Sequence, residues 1–177
     1  ANVFVANTKT IDFTSHGFNI DYSYFKNAYE TIALTGARAI NTSWGDPPPQ
    51  DNYNTTAGMV RAYATFSGKK SLLDAMDEVT QKYRVIQVVI AGNTYFRNAD
   101  MRASLPYFRP ALEKQWIAVG AAQQTRQGNS DPGSLSIAPY SNKAGVDKYW
   151  YVAAPGSTIF STIPPYTEGA AWDPGQW

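Results

Sequence analysis

The 177-residue chain reads as an α/β fold, a mainly parallel sheet with helices on both faces, and three observations predict it. Short apolar runs of the kind that form buried strands recur along the chain. Amphipathic stretches of about a dozen residues separate several of them. Gly, Asn and Pro punctuate the junctions at Gly36, Gly92-Asn93 and Pro155-Gly156. Strands alternating with helices imply crossover units, which join parallel strands and cover the sheet.

Taken in order, Val3, Phe4, Val5 and Ala6 within Asn2–Asn7 predict a first buried strand. Asp21 or Ser23 can cap a helix whose apolar residues are Tyr24, Phe25, Ala28, Tyr29, Ile32 and Ala33, with Gly36 at its stop. A second strand runs from Ala37 to Ser43 and ends in Trp44-Gly45. Asp46 to Thr56, with Pro47-Pro48-Pro49, is predicted as a loop, because prolines and polar residues break both regular structures. Met59 to Phe66 predicts a short helix. Ser71 with Asp74 three residues on resembles a capping box, ahead of a helix with Leu72, Leu73, Met76, Val79 and Tyr83 on one side. The remaining strands are predicted at Val85–Ala91, ending in Gly92-Asn93, at Trp116–Ala122, and at Tyr149–Ala153, stopped by Pro155-Gly156. In parallel sheets functional groups cluster at the carboxyl ends of strands, which directs attention to Ser43-Trp44-Gly45 and Ala91-Gly92-Asn93.

Composition narrows the function classes. With 44% apolar and 16% charged residues the chain is not a disordered tail. Its formal net charge is +1, with 15 basic and 14 acidic residues and no basic block, so nothing argues for nucleic acid or an anionic membrane. The aromatic content (12 Tyr, 8 Phe, 5 Trp) is read as packing ahead of a stacking platform. There is no cysteine, which excludes disulfides, Cys-based zinc sites and a cysteine nucleophile, and which fits an exported bacterial protein. No apolar run approaches the roughly 20 residues of a membrane span. The first residues lack the basic region of a signal peptide and read as a strand entered abruptly, so the chain is expected to begin inside a domain.

Several local signals are set aside. Gly68-Lys69-Lys70-Ser71 has the tail of a phosphate loop, but the earlier glycine the loop needs is Tyr63, and a solvated helix start is the better reading. No Gly-x-Gly-x-x-Gly or Gly-x-Ser-x-Gly occurs. His16, the one histidine, follows Asp12 in a polar loop with no nucleophile or metal-ligand spacing near it, and reads as a surface residue. Asn93 differs: an amide directly after a buried strand and a glycine can aim an N–H at a fixed point in a cleft and stabilise a developing oxyanion. From these residues alone, a turn asparagine in a left-handed conformation is an equal reading.

Five segments together break that tie. Ala37 to Gly45 resembles the strand of subtilisin-like serine proteases that ends in Ser-x-Gly and lines the substrate cleft. Val88-Val89-Ile90-Ala91-Gly92-Asn93 resembles their next strand, which ends in the oxyanion-hole asparagine. Trp116 to Ala121, then Tyr140-Ser141-Asn142 and Val152 to Thr162, follow the family's later order over nearly the whole chain. The Trp116 and Pro155 segments look most like subtilases carried on bacterial autotransporters. The resemblance implies that residues 1–177 are the central segment of a single peptidase domain, incomplete as it stands. It implies that Asn93 donates to the oxyanion. Ser43, Trp44 and Gly45 then form one wall of the primary specificity pocket, with Ala91 and Gly92 opposite, and the first segment pairs with an extended peptide as an added strand. Calcium is common in the family, but no acidic cluster marks a site and no cofactor or metal ligand is assigned.

The departures are equally informative. The family's order is Asp, His, Ser, yet the Asp-x-Gly strand, the His-Gly-Thr-His helix and the Gly-Thr-Ser-x-Ala motif are missing from the 177 residues. His16-Gly17 is followed by Phe18-Asn19, and Ser157 follows the wrong strand to be the nucleophile. The expectation is an internal part of a secreted or surface bacterial serine endopeptidase, inactive alone, whose partners are a peptide or protein substrate and the missing flanking segments of its domain. The alternative is a non-catalytic α/β peptide-binding module. A nucleotide-binding domain has no phosphate-cradling glycine loop to support it.

Overall fold

The computed structural model describes residues 22–43, 52–66, 70–125 and 134–157. The strand expected over Asn2–Asn7, the capping residue Asp21, His16 and most of the proline-rich loop lie outside them.

Helix α1, Tyr22–Leu34, buries Phe25, Tyr29 and Ala33, one face at i, i+4, i+8 spacing. Ser23 falls inside it and is not its cap. The helix stops at Gly36, whose φ of +84° is the left-handed turn expected there. Strand β1, Ala39–Thr42, alternates exposed and buried residues. Helix α2 is Thr56–Ala64, starting three residues earlier than predicted because Thr55 accepts a hydrogen bond from the Gly58 amide and so caps it. Helix α3, Leu72–Tyr83, opens on the expected capping box, with Ser71 Oγ accepting from Leu73 N and Asp74 accepting from Ser71 N. Ser71 therefore serves as a cap, and Lys70 pairs with Glu78 at 2.7 Å, so neither is arranged around a phosphate.

Strand β2, Ile86–Ile90, lies parallel between β1 and β3, Trp116–Thr125. Strand β5, Tyr151–Pro155, runs parallel to β3 on its other side. The paired stretch of β5 starts two residues later than predicted, because Tyr149 and Trp150 belong to the turn before it and the Trp150 indole donates to the Ala103 carbonyl. Pro155 does not stop the strand but occupies its last paired position, where a missing N–H is tolerated.

Two features depart from simple alternation. No dozen-residue helix joins β2 to β3. That crossover holds only the four-residue α4, Leu105–Phe108, and a 3-10 segment, Pro110–Gln115, since Pro106 and Pro110 cannot sit inside a longer helix. The second departure is strand β4, Ser134–Ile137, which the sequence reading missed and which pairs antiparallel with the far half of β3. Ala122 pairs with Ile137 on one edge and Pro155 on the other. β4 thus takes over the edge of β3 that β2 leaves after Val119.

One sheet face is sealed. Ile40, Thr42, Gln87, Val89, Trp116 and Ala118 are buried and share it by register. Helices α1 and α3 lie against it: the Tyr29 hydroxyl reaches Thr42 Oγ1 at 3.5 Å, and Gln87 donates to Thr80 Oγ1 at 3.0 Å. Gln87 is fully buried inside the most apolar strand, where that bond offsets part of its desolvation. On the opposite face Ala39, Asn41 and Ile86 are exposed, and Val88, Ile90, Ile117 and Val119 are half-buried. Arg109 ties the helical layer together by pairing with Asp74 at 2.8 Å and Asp77 at 2.7 Å, beside the stacked rings of Tyr63 and Phe108.

Candidate functional site at the carboxyl end of the sheet

Because β1 and β2 are parallel and Thr42 is level with Val89, Ser43 emerges beside Ile90, and the two carboxyl ends open in the same direction. Ser43 is exposed, its hydroxyl in mutual hydrogen-bond contact with the Asn41 amide. Trp44 and Gly45 lie outside the described residues. Beyond β2, Ala91 is fully buried and still donates to the Val119 carbonyl at 2.8 Å. Gly92 then turns the chain with φ of +104°, and Asn93 stands exposed at the strand's end. A side chain would be strained at that φ, which is the physical reason for glycine directly before the asparagine.

The loop that carries Asn93 is held from across the sheet. Since β4 follows the edge that β2 leaves, the turn after β4 lands over the end of β2 and delivers Asn142 there. Asn142 is buried, and the bonds of its backbone amide and its side chain go to this loop. Its backbone amide donates to Gly92 O at 2.8 Å and its side-chain N–H to Ala91 O at 3.0 Å. Its side-chain oxygen accepts from Thr94 N, Thr94 Oγ1 and Phe96 N, each at 3.0 Å. Tyr95, between the last two, has a φ of +62°, a conformation that costs a tyrosine on the order of 1–3 kcal/mol and persists because its surroundings impose it. Its amide donates to Tyr140 O at 3.1 Å, and Lys143 N donates to Phe96 O at 2.9 Å.

The clamp is itself supported by β3 and β5. Ser141 Oγ accepts from Ala121 N at 3.0 Å. Tyr151 crosses Gly120 and donates its phenol hydrogen to the Asn142 carbonyl at 2.8 Å, and burial pushes its hydroxyl above its ordinary pKa. Behind the loop lies a buried polar cluster. Asp100 donates its amide to Ala91 O at 2.7 Å, and its carboxylate pairs with Arg102 at 3.1 Å. Ser104 Oγ donates to Asp147 Oδ2 at 3.0 Å, while Asp147 Oδ1 is buried without a hydrogen-bond partner among the described residues. Desolvation is the main reason that the Asp147 carboxyl is pushed up to about 8, with the Asp100 charge adding to it.

Of the residues singled out from sequence, Ser43, Ala91, Gly92 and Asn93 come together at adjacent strand ends. Asn142 and the Asp100–Arg102–Ser104–Asp147 cluster were missed as parts of the site. Asn142 had a faint signal in Tyr140-Ser141-Asn142, but a link across 48 residues to Thr94 leaves no trace in local spacing. An exposed carboxamide on so restrained a loop can donate an N–H to an anionic oxygen at low reorganisation cost. Among the described residues no group of three or more His, Cys, Asp or Glu side chains could hold a metal ion, and no helix is long and apolar enough to cross a membrane.

A profile described as the subtilase family matches residues 11–173. Serotype-specific antigen 1 of Mannheimia haemolytica is 32% identical over 120 residues, which are 67% of this chain and 12% of that protein. The chain therefore spans about an eighth of that relative's length. Among solved structures, the prenylagaramide maturation protease PagA is 21% identical over 81% of this chain and 40% of its own, with a TM-score of 0.45. Sphericase is 19% identical over 80% of this chain and 39% of its own, with a TM-score of 0.47.

Proposed function

The chain belongs to the subtilase family, and from that premise we propose that it supplies the oxyanion donor and the substrate-cleft strands of a serine endopeptidase. Asn93 donates its side-chain N–H to the oxygen that becomes negative when a peptide carbonyl is attacked. Ser43 to Gly45 form one wall of the pocket for the residue before the scissile bond, and Ala91 and Gly92 the other. The backbone of β1 and Ser43 pairs with the substrate as an added strand. The observation that carries the reading is Asn93 exposed at the tip of β2, with Ser43 one strand away.

The Asp, His and Ser motifs of the triad do not occur in the 177 residues, so the nucleophile and its base come from other segments of the domain, and these residues alone cleave nothing. Binding and oxyanion stabilisation without a nucleophile position a peptide but do not open it. We place the parent protein outside the cytoplasm, secreted or on a bacterial surface. The absence of cysteine and the likeness of the Trp116 and Pro155 segments to autotransporter subtilases support that.

The test compares the full-length protein with its Asn93→Ala variant on a chromogenic peptide. The expected result is a fall in kcat of about 10²–10³ with KM little changed, the magnitude known for loss of the same donor in subtilisin. Unchanged kcat removes Asn93 from the chemistry. Retained peptide binding with no hydrolysis by the full-length protein favours a binding module, and labelling of the isolated 177 residues by a serine-directed probe overturns the claim that they lack a nucleophile.

A further inference from the structure

We infer that Asn142 is the positioning residue for this site: it acts through the loop of residues 91–96 and fixes where the Asn93 amide points, an inference that rests on the oxyanion reading of Asn93. Three observations carry it. First, the set of bonds is one-sided. One buried side chain donates to Ala91 O, two residues before Asn93 and shared with the Asp100 amide, and accepts from two backbone amides after it (Thr94 and Phe96), together with the Thr94 hydroxyl. It brackets residue 93 and leaves it exposed. Second, the loop would not hold this shape by local preference, since Tyr95 sits at a φ of +62°, where a residue with a side chain is strained. Third, the clamp is rigidly mounted: its own amide bonds Gly92 O, and its carbonyl is held by Ser141 Oγ and by Tyr151 from β5.

The chemistry favours a carboxamide. The position needs a donor toward Ala91 O and, at the same time, an acceptor for three hydrogens. A carboxamide presents the two on separate atoms without charge, which a single hydroxyl cannot, and Gln is a methylene longer. A donor for an oxyanion contributes through preorganisation, so a displacement of about 1 Å at Asn93 weakens the transition state far more than the ground state. Asn142 touches no reacting atom; its effect reaches the chemistry only through Asn93.

That dependence gives the test. In the full-length protein, Asn142→Ala is expected to lower kcat about tenfold or more with KM changed less than about twofold. On an Asn93→Ala background the same substitution is expected to change kcat less than about twofold, because the group it positions is gone. Thr94→Val, a change at an exposed residue, removes one of the three donors and gives a smaller loss with the same dependence on Asn93. Should Asn142→Ala fail to fold, the Thr94→Val pair decides alone. Equal losses on both backgrounds, or a lowered Tm with unchanged kcat, overturn the inference. Unchanged kcat in Asn93→Ala itself instead overturns the oxyanion reading, so the two failures are told apart.

Discussion

A β-carbon on Gly92 would stand 2.5 Å from Nδ2 of Asn142, so the space left by the glycine is the space the asparagine amide fills. The two residues are 50 positions apart and fit only as a pair. Gly92→Ala meets two penalties, the positive φ and the lost room for the amide, and is expected to lower stability by about 1–3 kcal/mol. The penalties separate in a double-mutant cycle. Adding Asn142→Ala removes the steric part but not the strain, so the double variant should be more stable than the sum of the single effects. Urea denaturation with an unchanged m value reads this out, and strictly additive costs would show that the contact carries no energy.

Tyr151 and Gly120 form a second such pair, one step behind the first. A β-carbon at Gly120 would lie 1.6 Å from the Tyr151 hydroxyl, so Gly120→Ala cannot coexist with the phenol bonded to Asn142 O. The cost of overfilling a packed sheet crossing is about 1–3 kcal/mol. Tyr151→Phe deletes only the hydroxyl and should cost about 1 kcal/mol, leaving the half-buried ring in place. The expected order of unfolding midpoints is parent, Tyr151→Phe, then Gly120→Ala. A Gly120→Ala protein as stable as the parent would mean that Tyr151 does not cross this strand.

The sequence revealed most where physics is local. The Ser71–Asp74 capping box, the Phe25–Tyr29–Ala33 face and the stop at Gly36 appear where spacing put them, because helix periodicity and caps involve neighbours in the chain. β1, β2 and β3 were legible as apolar runs, and the placing of Ser43 beside the tip of β2 follows from their parallel register. What could not be read depends on contacts between distant residues. Strand β4 is short, exposed at Leu135 and antiparallel, with no apolar run to mark it. The buried cluster of Asp100, Arg102, Ser104 and Asp147 looks in sequence like a polar loop, since only the fold takes those side chains out of water. Asn142 was visible as part of a motif, but its bond partners were not.

The carboxyl of Asp147 makes the fold's stability depend on pH in a direction opposite to that of a salt-bridged aspartate. Its pKa is about 8 in the folded chain, chiefly through burial, against an ordinary value near 3.8. Below about pH 4 the group is protonated whether the chain is folded or not, and its contribution to stability is fully present. Between there and about pH 8 the folded state keeps a proton that the unfolded chain has released, so stability falls as pH rises. The slope from this one group is at most about 1.4 kcal/mol per pH unit. The groups facing it are Ser104, which donates to it, and the Asp100 carboxylate, which raises its pKa and is itself paired with Arg102. Asp147→Asn keeps the shape and removes the titration. Its expected signature is a smaller loss of urea midpoint between pH 5 and 8 than the parent shows, with the Ser104 contact retained. Identical pH profiles for the two proteins would mean that Asp147 is ionised in the fold at neutral pH, compensated by a cation near its unpartnered oxygen.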